Sequence, residues 1–192
     1  MKKARTQTRG ASFDKIWTVS NMLSMFRMLL AIPLAFVLQD AERMLPFVLL
    51  ISAVAYASDL LDGWVARTFD GESRFGRIID PLADKVFITV GVLVMAATRL
   101  IPWWFTVLVI ARDLIILLGG VHLRMRTGQV VQSTMLGKAT VVSIGAALIA
   151  ALFGEGSSNP LPMLLLLLAV GMIAASLYGY GQRYVSLIGR KK

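Results

Sequence analysis

Apolar stretches about as long as a helix needs to cross a bilayer, roughly 20 residues, recur along nearly the whole chain. They fall at about 17–38, 45–69, 75–97, 102–123, 134–153 and 162–181. Only 16% of the residues are charged, against about 25% in an ordinary soluble domain. Mean hydropathy is +0.72. The expected fold is therefore an all-α integral membrane protein, with six transmembrane helices in one bundle. No internal repeat or low-complexity linker divides it. Residues 17–187 form the membrane domain, 1–16 a basic arm lying partly along the membrane surface, and 188–192 a basic tail. Residues 39–43, 124–128 and 154–160 are expected as connections. No signal-peptide apolar core with a small-residue cleavage site is evident, so the first apolar stretch is expected to remain as a membrane helix.

Lys and Arg in short connections set orientation. One side carries Lys2, Lys3, Arg5, Arg9 and Lys15, then Arg67, Arg74, Arg77, Arg124, Arg126, Lys138 and the 190–192 tail. The other carries Arg43 and Arg99. Both termini are expected in the cytoplasm, with the protein multi-pass in the cell (inner) membrane. The net charge of +9 is accounted for by this topology. No aromatic–basic groove pattern points to nucleic acid. The absence of cysteine removes disulfides, thiolate metal sites and cysteine nucleophiles. A lone His122 argues against an imidazole zinc site. Trp17, Trp103 and Trp104 fit an aromatic belt at span ends.

Against this background, six of eleven acidic residues fall within residues 59–84. Asp59 and Asp62 are three apart, Asp80 and Asp84 four apart. On helices each spacing puts both carboxylates on one face, with Cβ atoms roughly 5–6 Å apart. Gly63 and Ala66 follow Asp59 and Asp62 by four residues each, so the acidic face is flanked by residues that occupy almost no room. Charged groups inside spans are costly and usually functional, and four clustered carboxylates repel unless cations neutralise them. Oxygen-only ligation favours hard divalent ions such as Mg²⁺, Mn²⁺ or Ca²⁺ over zinc. Two such ions bridging phosphate oxygens would stabilise a pyrophosphate during displacement. A carboxylate less committed to metal could take a proton from an attacking hydroxyl. The residues thus point to metal-assisted phosphoryl-type transfer at a membrane surface, with the substrate open. The bland alternative is a set of aspartates salt-bridged to Arg67, Arg74 and Arg77 inside a bundle.

The full pattern is D-x2-D-G-x2-A-R-x8-G-x3-D-x3-D, filled by Asp59, Asp62, Gly63, Ala66, Arg67, Gly76, Asp80 and Asp84. It resembles, at every position, the signature of the CDP-alcohol phosphotransferase (CDP-alcohol phosphatidyltransferase) family. Asn21-Met22-Leu23-Ser24 with Arg27 and Pro33, Asp80-Pro81-Leu82-Ala83-Asp84-Lys85, Arg112-Asp113 and Gly137-Lys138 are similar to its phosphatidylglycerophosphate synthase and mitochondrial-type cardiolipin synthase branches. The resemblance implies a six-helix membrane enzyme, usually a homodimer. It would transfer a phosphatidyl group from CDP-diacylglycerol to an alcohol and release CMP, using two divalent ions, Mg²⁺ or Mn²⁺. It makes Asp59, Asp62 and Asp80 metal ligands, and Asp84 the general base with metal contact. Asp62, Gly63, Ala66, Arg67 and Gly76 would frame the CDP moiety.

The acceptor is expected to be glycerol 3-phosphate, whose phosphate Arg112, Arg124, Arg126 and Lys138 would bind. The alternative is phosphatidylglycerol, as in cardiolipin synthases. Ser58–Gly63, Leu123–Thr127 and Ser176–Tyr180 resemble that branch, and Thr140 stands where the glycerophosphate branch often has a second basic residue. Arg27 and Arg112, near mid-span, either pair with Asp113 or another helix or bind acceptor phosphate. A reading from another class, a cation transporter with an aspartate-lined path, requires polar residues continuing through the bundle. Val86–Met95 offers no such path.

Overall fold

The computed structural model describes residues 19–68, 76–127, 134–154 and 160–189, with side chains at all of these except 20, 62–68, 76–81, 124, 127, 188 and 189. Within them are helices α1 Val19–Val37, α2 Ala41–Thr68, α3 Gly76–Ala97, α4 Trp103–Thr127, α5 Met135–Leu152 and α6 Leu161–Gly189, and no strand. Among the described residues, four stretches are long and apolar enough to cross a membrane: 21–61, 103–123, 135–152 and 161–187. The first is 41 residues long, about twice the ~20 that one crossing needs. It is folded back on itself, with α1 packed along α2.

The fold that holds the acidic window is built around α1, which packs against both α2 and α3. On the other side α5 packs along α6, α4 lies against α6, and α3–α4 and α2–α5 contacts join the two groups. A single apolar core runs through the junction, including Leu34, Val48, Val92, Phe105, Ile144 and Ile173. Ala96, Ala147 and Ala169 are completely buried. Such small residues let membrane helices approach closely, which matters where lipid tails remove the usual hydrophobic drive. Large apolar side chains such as Phe36, Leu118 and Val142 face outward and exposed, the arrangement expected of a surface solvated by lipid.

Three connections differ from those expected. The polar 39–43 stretch is only partly a turn: Leu38–Asp40 form one 3-10 turn and α2 begins at Ala41. Gln39 closes this turn by donating to the Ala35 carbonyl at 3.3 Å. Residues 124–127, expected as loop, continue α4, because Arg and Met favour helix and no breaker occurs before Gly128. α6 passes through Gly179 and Gly181 to Gly189, absorbing part of the supposed tail. Gly119, Gly120 and Gly181 line an apolar groove of about 400 Å³ between α4 and α6. All three lie inside α4 and α6, so these glycines do not mark helix ends.

Polar side chains fasten helices across the interior. Thr106 donates to the Val92 carbonyl at 3.2 Å, tying α4 to α3. Thr140, fully buried, shares its one hydroxyl proton between Leu136 O at 2.8 Å and Met172 O at 3.1 Å, tying α5 to α6. The end of α3 is a Schellman cap: Leu100 N–H donates to Met95 O at 2.8 Å and Arg99 N–H to Ala96 O at 3.1 Å. Arg99 adopts the left-handed conformation this cap needs, with φ of 65°. A side chain there costs roughly 1 kcal/mol that glycine avoids. Arg99→Gly is therefore expected to stabilise the protein by about 1 kcal/mol, and Arg99→Val to destabilise it. Thermal unfolding of the purified protein in detergent micelles checks both signs.

Candidate active site

The buried face of α1 is polar at one end and apolar at the other. Asn21, Ser24 and Arg27 recur every three residues, followed by Ala31, Leu34 and Leu38, and all six are buried. Arg27 is only 3% exposed. Its Nη1 lies 2.9 Å from Asp59 Oδ1 on α2 and also contacts Asp84 Oδ1 on α3. One guanidinium nitrogen thus joins three helices. Both aspartate side chains remain nearly half exposed, at 47% and 46%, so the pair is closed on the α1 side and open on the other.

The three residues share a depth. Arg27 is eight residues after Val19, Asp59 nine before Thr68 and Asp84 eight after Gly76. At 1.5 Å per residue each lies about 12–14 Å from its helix end, and all three ends are on the same side of the bundle. Ala83, with no exposed surface, precedes Asp84 and allows α3 to approach α1. Ser58, beside Asp59, is buried and returns its hydroxyl to Ala55 O at 2.8 Å.

The donor set suits a hard cation. Asp59 and Asp84 offer oxygen alone, and their carboxylates already meet at one positively charged nitrogen. Among the described residues no group of three or more His, Cys, Asp or Glu side chains gathers. Asp62 lies one turn beyond Asp59 on α2 and Asp80 one turn before Asp84 on α3, but their side chains lie outside those described. The same holds for Gly63, Ala66, Arg67 and Gly76, of which only the helical positions can be given, and for the side chain of Arg124.

A second charged network sits beside the first. Lys85, next to Asp84, reaches α4, where its Nζ is 3.6 Å from Asp113 Oδ2 and 3.3 Å from the Asp113 carbonyl. Arg112 Nη1 contacts Asp113 Oδ1 at 2.6 Å. Arg112 is buried, and its Nε has no hydrogen-bond partner among the described residues. The expected pairing with Asp113 or another helix therefore holds for both arginines: Arg112 pairs with Asp113, and Arg27 with Asp59 on α2 and Asp84 on α3. Arg126 and Lys138 are exposed, at the end of α4 and in the first turn of α5. Thr134 caps α5 by accepting from Gly137 N–H at 2.9 Å. A Cβ on Gly137 would come within 3.2 Å of the capping Thr134 Oγ1, so glycine leaves room for that cap.

One residue without a role expected from the sequence emerges here, Lys85. The signal for Arg27 was present in the three-residue recurrence of Asn21, Ser24 and Arg27, a polar stripe on one helix face.

An all-helical protein with long apolar spans and acidic side chains converging between its first three helices defines a class, that of membrane-embedded proteins with a candidate cation site. The family follows from the whole chain: residues 17–178 match the CDP-alcohol phosphatidyltransferase model, and the chain belongs to that family. It is 35% identical over 118 residues to a cardiolipin synthase (CMP-forming) of Rattus norvegicus, covering 61% of this chain and 38% of the relative. It is 32% identical over 132 residues to the CDP-diacylglycerol--glycerol-3-phosphate 3-phosphatidyltransferase of Bacillus subtilis, covering 66% and 67%. Against a cardiolipin synthase (CMP-forming) of Streptomyces coelicolor, identity is 31% over 160 residues, covering 81% and 74%. The match thus spans well under half of the rat relative's length.

Asp113→Asn is expected to destabilise the fold by about 1–3 kcal/mol, because it leaves two cations without their shared carboxylate. In the Lys85→Met/Asp113→Asn double variant the losses should fall short of additive by about 0.5–3 kcal/mol. A double-mutant cycle of unfolding in micelles measures that coupling.

Proposed function

We propose that this protein transfers a phosphatidyl group from CDP-diacylglycerol to the hydroxyl of a glycerol-based acceptor, releasing CMP. The observation that carries the reading is the meeting of Asp59 and Asp84 at one buried cationic nitrogen, within a chain that holds the complete eight-residue signature. Mg²⁺ or Mn²⁺ held by Asp59, Asp62, Asp80 and Asp84 would neutralise charge on the diphosphate. Asp62, Gly63, Ala66, Arg67 and Gly76 frame the CDP moiety. Asp84 accepts the proton of the attacking hydroxyl, and its partial exposure leaves its carboxylate reachable from the open side.

All six helices cross the membrane in this reading, α3 included. The acidic site faces the cytoplasm together with both termini, placing it where soluble nucleotide and metal can arrive. The enzyme works in the cell (inner) membrane as a homodimer, as the family resemblance implies, with 1–16 as a basic arm.

For the acceptor, Thr140 is the informative position. It is fully buried and bonded across to α6, so the second basic residue often found there in the glycerophosphate branch would have to enter a helix–helix contact. This favours phosphatidylglycerol, as in the enzymes named cardiolipin synthase. Glycerol 3-phosphate is the second reading, supported by the Bacillus relative's name and by the cations Arg112, Arg124, Arg126 and Lys138, which could bind a dianion.

Incubating the purified protein with CDP-diacylglycerol, Mn²⁺ or Mg²⁺ and each acceptor in turn tests both readings. CMP release is expected with cardiolipin as product, to be abolished by EDTA and reduced by about 10²–10⁴-fold in Asp84→Asn, as befits a lost general base. Phosphatidylglycerophosphate as the product would select the second acceptor. Cation flux through proteoliposomes without CMP release would replace the enzyme with a transporter.

A further inference from the structure

A buried arginine in a membrane bundle is expensive unless opposite charge meets it, and Arg27 is met by both described carboxylates of the candidate metal site. A guanidinium and a divalent ion cannot both hold the same carboxylate oxygens at full strength. Each supplies the positive charge that the other would provide. We infer that Arg27 is the resident counter-ion of this site: it keeps α1, α2 and α3 assembled before metal arrives, and incoming divalent cations compete with it for Asp59 and Asp84. The inference rests on the metal reading proposed above and concerns how the site is held and filled.

Three observations support a competing counter-ion over a mere strut. The contact is made through one nitrogen to carboxylates of two different helices, so its loss frees both ligands at once. Arg27 is nine-tenths and more buried while the aspartates are half exposed, so metal can approach from the open side without α1 moving aside. Lys85, the cation next to Asp84 in the chain, is turned away to Asp113 on α4, which leaves Arg27 as the described cation that meets both aspartates. Arg27 is thus a positioning residue whose charge opposes the metal it prepares for.

The sign of its effect on metal affinity is diagnostic. A strut that only orients the ligands would weaken metal binding when removed, whereas a competing counter-ion would strengthen it. Metal-stripped full-length protein in nanodiscs, titrated with Mn²⁺ and followed by the electron paramagnetic resonance of free Mn²⁺, gives the affinity. Thermal unfolding with and without Mn²⁺ gives the stability. Arg27→Gln is expected to unfold at lower temperature than wild type without metal, to bind Mn²⁺ several-fold more tightly, and to recover most of its stability deficit when Mn²⁺ is added. Arg27→Lys, which keeps the charge but has fewer donors, should fall between the two and serves if Arg27→Gln does not fold. Arg43→Gln, an exposed change beside Asp40 at the other end of the bundle, should leave Mn²⁺ affinity unaltered. Equal or weaker Mn²⁺ binding in the Arg27 variants, or a stability deficit that Mn²⁺ does not narrow, overturns the inference and leaves the metal site standing. If neither wild type nor variants bind Mn²⁺, the metal reading itself falls and takes this inference with it.

Discussion

The contact between the Arg27 guanidinium and the Asp59 and Asp84 carboxylates is the constraint that organises this protein's first three helices. An arginine at the centre of a membrane helix costs roughly 2.5–3.5 kcal/mol on insertion scales, and carboxylates brought side by side repel. Each problem is the other's remedy. Because the compensating charges lie on different helices, the remedy works only when α1, α2 and α3 pack in one register. The same requirement that makes the fold definite places the acidic residues side by side.

The apolar part of the bundle follows a different logic. Lipid offers little drive for apolar helices to associate, so α5–α6 and α3–α4 use small buried residues and hydroxyl bonds to opposing carbonyls. Thr140 and Thr106 do this work, and Ala96, Ala147 and Ala169 make the close approach possible. Polar recognition at one end and close apolar packing at the other divide the length of the helices between chemistry and cohesion.

Much of this was legible in the residues. The apolar runs placed every helix to within a few positions at most ends, because length and hydrophobicity are one-dimensional properties in a bilayer. Helix ends beyond the hydrocarbon were harder to read. Arg124 to Thr127 looked like a loop by charge, yet arginine and methionine continue a helix as readily outside the membrane as inside. The three- and four-residue spacings put Asp59 with Asp62 and Asp80 with Asp84 on common helix faces, whereas the meeting of Asp59 with Asp84 is set by the packing of α1, α2 and α3. Arg27's destination was not readable, because its partners are 32 and 57 positions away and only the packing of α1 against two helices selects them over Asp113.

The tight 3-10 turn at Leu38–Asp40 has a bearing on how the chain enters the membrane. It folds α1 and α2 back on each other, and Arg27 and Asp59 stand on opposite arms of that hairpin at matching depth. A ribosome-bound chain delivering this hairpin as one unit would present the translocon with a neutral zwitterion where it would otherwise meet a bare cation, and the first helix would not have to enter lipid alone. Biogenesis and catalysis would then draw on the same pair of side chains at different times.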